Sequence, residues 1–173
     1  MAATAMAGME VAQPFHATED QQDVRNRVFD CLRSFDFRVD TTVLEKAKAK
    51  PEVRRSQSSF YKLAWYLHLK YVAPRITRQE DGLLIVAAKI GTHKDRTTFS
   101  DAVSEVVAQA CAGVAYRPAF WASVSDPFLW VVDYCSWAIQ RKWERGDGRS
   151  YDLIKDRIKS EFDAWGVGTQ RYY

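Results

Sequence analysis

Three features of the sequence predict an α/β fold. Segments with apolar residues at helical spacing alternate with short segments of strand character, in the order α-β-α-β-α-β-α-α. One strand segment, LLIVAAKI at 83–90, is continuously apolar, as a strand covered on both faces reads. The 173 residues are 47% hydrophobic and include six Trp, enough for one domain with its own core. Such alternation implies a mostly parallel sheet flanked by helices, a three-layer sandwich.

The elements follow in order. Residues 1–14 read as a frayed start or partial strand, without the charged and apolar regions of a secretory signal. In FHATEDQQ, Thr18 and Gln21 have capping-box spacing. Val24, Val28, Cys31, Leu32 and Phe35 then recur helically, predicting a helix over 19–34. FRVDTTVL, 37–44, alternates with a period of two and predicts a half-buried strand. EKAKAKPEVRRSQ, 45–57, is a polar loop with five Lys or Arg against two Glu. Ser56 or Ser58 can cap a second helix that ends near Pro74. After the LLIVAAKI strand, Phe99, Val103, Val106 and Val107 mark a helix over 98–111. A short strand over 115–124 carries Pro118, which suits an edge or bulge. Helices over 127–144 and 150–165 close the chain, followed by a tail at 167–173. Three strands are few for five helices. The expectation is that the first 15 residues, a second chain or residues before Met1 complete the sheet.

The net charge of +3 permits nucleic-acid contact without requiring it. Cys31, Cys111 and Cys135 match no zinc spacing and occupy apolar helical positions. They read as buried reduced thiols of a cytoplasmic protein. No apolar run approaches the ~18 residues of a membrane span. There is no phosphate-binding glycine loop, nucleophile elbow or paired CxxC, and His68 and His93 stand alone.

Three places can carry chemistry. In LWVVDYCSWAIQRKWERGD, 129–147, a helical wheel groups Phe128, Val131, Val132, Cys135, Ile139 and Trp143 as the core face. Asp133 lies opposite, in line with Asp126, Gln140 and Glu144. It is either part of a solvated stripe or a carboxylate in a pocket covered by Trp130 and Trp137. In FHATED, His16, Glu19 and Asp20 either complement a helix dipole or supply ligands and acid/base groups at a strand-to-helix junction. In the basic loop, Lys46, Lys48, Arg54 and Arg55 either track a phosphate backbone or are simply solvated.

The pieces FHATED…VR, LEKAK and LWVVDYCSWAIQRKWERGD together resemble the bacterial domain of unknown function family 3800, over roughly 15–165. That resemblance implies an RNase H-like fold for a single domain at 15–166, with the N-terminal antiparallel strands missing or incomplete. Family members open on an Asp-Glu-Ser strand and end on a Leu-Gln-x-Ala-Asp helix, whose acid Asp133 matches. It further implies carboxylates holding Mg²⁺ or Mn²⁺ for phosphodiester cleavage. Asp133 would be the metal ligand, helped by Glu19, Asp20 or His16, with Lys46 near phosphate. The sequence departs from the pattern: no Asp-Glu-Ser strand precedes residue 15, LLIVAAKI has Ala87 and Ala88 where many relatives carry an acid at the end of the central strand, and Trp130 stands where Gln is usual. The resulting expectation is a metal-dependent nuclease, or a truncated or inactive form of one. The alternatives are a non-catalytic nucleic-acid or protein-binding module that forms homo-oligomers, and a scaffold that associates through exposed Trp130 and Trp137.

Overall fold

The computed structural model describes residues 15–78, 80, 82–89, 93–110 and 112–166. The expected start at 1–14, the tail at 167–173 and Cys111 lie outside them. The fold is mixed α/β with short parallel sheets. Among the described residues no helix is long and apolar enough to cross a membrane.

Helix α1, Gln22–Arg33, buries Val28, Phe29 and Leu32. It begins later than its sequence suggests, and Gln21 precedes it with no side-chain cap. Thr18 sits instead in a turn closed by the Glu19 and Asp20 amides on the His16 carbonyl, at 3.0 and 2.9 Å. The capping box therefore does not form. Strand β1, Val39–Val43, follows. The expected polar loop is partly helical: a 3-10 turn at Lys46–Lys48 leads into the short helix α2, Pro51–Arg54, which has Pro in its first turn.

Helix α3, Gln57–Ile76, starts where expected, with the Ser56 hydroxyl accepting from the Ser59 amide at 3.2 Å. It runs two residues past Pro74 and stops at Thr77, whose amide and hydroxyl both donate to the Ala73 carbonyl. Among the described residues, strand β2, Gly82–Ala88, pairs with β3, Ala115–Trp121, alone, across helix α4, His93–Ala110. The apolar run is thus half of a two-stranded sheet rather than a doubly covered central strand, and its Leu84 is 57% exposed.

Helix α5, Pro127–Arg145, opens on Asp126, whose carboxylate accepts from the Phe128 amide at 2.8 Å. It ends at Gly146 in the left-handed region (φ 66°), with the Gly146 and Asp147 amides closing on the Lys142 and Arg141 carbonyls. Its buried face is Leu129, Val131, Tyr134, Cys135, Ala138 and Ile139. The helical wheel rotates that face wrongly, because Phe128, Val132 and Trp143 are exposed. A single large buried side chain, Tyr134, pulls the stripe around.

The expected final helix is mostly something else. Helix α6 covers only Arg149–Ile154, and after a 3-10 turn the chain becomes strand β4, Ile158–Asp163, paired with β1. The Ala164 amide extends this pairing to the Val43 carbonyl at 3.1 Å. IKSEFD has period-two alternation of its own, and Phe162 stacks on Tyr71 with centroids 4.3 Å apart.

The chain forms two compact units. The first takes residues 1–39 and 121–160, the second 40–120 and 161–173. The first has a core built around Phe29, Leu32, Tyr134, Ala138 and Ile154. The second has its own, around Leu69, Ile85, Val103 and Val107.

Candidate functional site: a polar knot, a basic segment and an arginine cleft

In the first unit, three of the expected site residues meet. The segment before α1 runs along α5, and its backbone donors must find acceptors there. Asp133 supplies one: its Oδ2 accepts from the Ala17 amide at 2.8 Å. The same oxygen lies 3.6 Å from His16 Nδ1. Asp20 turns back and accepts from the His16 amide at 2.9 Å. Its Oδ2 also accepts from the Tyr134 hydroxyl. Burial, and then this bond to Asp20, push the Tyr134 hydroxyl well above its ordinary range, so it stays a donor. Arg25 completes the knot by donating to the Ala17 and Thr18 carbonyls at 2.6 and 3.2 Å.

Both readings of Asp133 are therefore incomplete. It is partly exposed, at 38%, yet it anchors a backbone amide 116 residues away in sequence. Trp130 and Trp137 are not exposed as the scaffold reading requires; both pack on the first core. Trp130 meets Phe15 edge-on at 5.5 Å, and Trp137 meets Phe29 at 6.4 Å. Glu19 is exposed and contributes only its amide to the turn.

This arrangement does not fit a two-metal centre. One oxygen of Asp133 and one of Asp20 each already serve two protein groups, and a cation there would have to displace them. Among the described residues no group of three or more His, Cys, Asp or Glu is placed to hold a metal ion. What the knot does is fix the approach of the chain into α1.

The basic residues belong to the second unit. Lys48 is engaged: it pairs with Glu45 at 2.8 Å and donates to the Trp165 carbonyl at 3.2 Å. Lys46 lies over the Phe60 ring at 5.7 Å. Lys46, Lys50, Arg54 and Arg55 are exposed.

The sequence reading missed a third feature. In the first unit α1, the C-terminal half of α5 and the start of α6 enclose a cleft of about 520 Å³. Four arginines line it: Arg25, Arg141, Arg145 and Arg149. Asp147 accepts from Arg141 at 3.0 Å and from Arg149 through both oxygens at 2.9 Å. The bonds to Arg149, then Arg141, hold its carboxyl far below the ordinary aspartate range. The signal was present in QRKWERGDGR, which places arginines one helical turn apart and a third past the glycine turn.

No family model matches the sequence, and no curated protein or solved structure matches it.

Proposed function

We infer that the chain is a non-catalytic module that binds the phosphate backbone of nucleic acid, RNase H-like in lineage by the resemblance of its last long helix. One observation carries this reading. Lys46, Lys50, Arg54 and Arg55 stand exposed within ten residues of the second unit, and among the described residues none has a carboxylate partner. Exposed cations without carboxylate partners are available to phosphates, and each phosphate neutralised releases counterions. The knot supports the non-catalytic half, since its carboxylates are committed to holding the chain.

The test is fluorescence anisotropy of a labelled single-stranded oligonucleotide across a salt series. Four backbone contacts give a log–log slope near about −3, at roughly −0.7 per contact. Arg54→Ala with Arg55→Ala should reduce the slope by about 1.4 and weaken binding by at least about tenfold. EDTA should change nothing. Mn²⁺-dependent cleavage of the strand that disappears in Asp133→Asn would establish the nuclease reading instead.

A further inference from the structure

We propose that the arginine cleft of the first unit is a binding site for a phosphomonoester, separate from the basic surface of the second unit. The charge balance inside the cleft is the starting point. Four guanidinium groups face two carboxylates, Glu144 and Asp147. Asp147 is shared by Arg141 and Arg149, so two cations answer one anion there. Glu144 is bound by the Gln140 amide at 3.1 Å and has no guanidinium partner among the described residues. Arg25 is satisfied by the neutral carbonyls of Ala17 and Thr18, which leaves its charge uncompensated. Arg145 is exposed and has no acidic partner among the described residues. The surplus of two positive charges matches a phosphomonoester, which carries close to two negative charges at neutral pH.

Geometry favours the same ligand. The Trp137 ring carries the Arg25 guanidinium at 4.8 Å and that of Arg141 at 5.5 Å, so both forks are held before any ligand arrives. Arg141 Nε is buried and has no acceptor among the described residues. Planar guanidinium forks suit phosphate oxygens in a way that point charges do not. A volume of about 520 Å³ holds more than a bare ion, and the amides of Gln22, Asn26 and Gln140 on its walls can bond the organic part. No covalent step is implied.

Calorimetry on the full chain tests this with inorganic phosphate, adenosine monophosphate and adenosine. Phosphate and the monophosphate should bind and adenosine should not. Arg145→Ala removes a cation that supports nothing else, so it should leave the far-UV spectrum unchanged and weaken the monophosphate by about tenfold. The Arg54→Ala, Arg55→Ala double variant should bind the monophosphate like the parent, which separates this site from the backbone-binding surface. In that double variant, an oligonucleotide with a 5′-phosphate is compared with the same strand ending in 5′-hydroxyl. Preference for the phosphorylated strand over the free monophosphate assigns a strand end as the source; equal affinity assigns a free nucleotide. Adenosine binding as well as its monophosphate, no effect of Arg145→Ala, or no heat with any phosphate compound at millimolar concentration would each overturn the proposal.

Discussion

The first unit carries 11 Lys or Arg against 12 Asp or Glu, and the second carries 14 against 10. The difference in sign matters less than the difference in use. In the first unit, Asp20, Asp126, Asp133 and Asp147 all accept hydrogen bonds from backbone amides, those of His16, Phe128, Ala17 and Arg149. In the second unit Lys46, Lys50, Arg54 and Arg55 are exposed on and beside short helical turns, while half-buried Lys48 is tied to an acid and a carbonyl. A carboxylate that closes a backbone amide is a structural group, whatever motif surrounds it. A cation that closes nothing is available to a ligand.

The largest effect is expected at Asp133. If it is a structural anchor, Asp133→Ala leaves the Ala17 amide without an acceptor and destabilises the first unit by about 1–3 kcal/mol. Asp133→Asn, which keeps an acceptor oxygen, should recover most of that loss. Denaturant midpoints read by hydrogen exchange in each unit check both variants. A first unit indifferent to Asp133→Ala would mean the carboxylate is free for another task.

Acid should separate the two units next. His68 in the second unit lies within 3.1 Å of Thr42, and burial lowers its pKa below 6.5 while Asp40 partly opposes the shift. A lowered histidine is neutral in the folded state, so its contribution is present above the unfolded value. It is lost as pH falls below 6.5 toward the folded value. Asp147 in the first unit is shifted down, so its contribution is present above the ordinary aspartate pKa of about 4 and is lost only as pH falls below that. Hydrogen exchange from pH 7 to pH 3 should show protection falling first in the second unit and later around Gly146–Ser150. His68→Gln should flatten the earlier step.

The smallest effect is expected at Arg54 and Arg55. Arg54→Ala with Arg55→Ala should change stability by no more than about 0.5 kcal/mol, because exposed side chains without partners contribute little to folding. A larger loss would show that these arginines hold the fold and would remove them from the proposed nucleic-acid surface.

Much of the fold can be read locally. Helices α3 and α5 and strands β1, β2 and β3 fall close to where spacing alone puts them, because apolar period and end signals such as Ser56, Asp126 and Gly146 act within a few residues, whereas α4 begins at His93, ahead of its expected start at 98. His16, Asp20 and Asp133 are also identifiable from sequence as residues that matter. Their role is not, since it depends on which amide reaches which oxygen across 116 residues.

By itself the sequence determined the α/β class, most element positions and the charge of each segment, all properties of period and composition. Tertiary structure decided the rest. It converted IKSEFD from helix to strand, because pairing with β1 and stacking on Tyr71 outweigh a weak local preference. It turned α5 so that Tyr134 rather than Phe128 entered the core. It also gathered four arginines from α1, α5 and α6 into one cleft, since charges far apart in sequence become neighbours only when apolar burial brings their helices together.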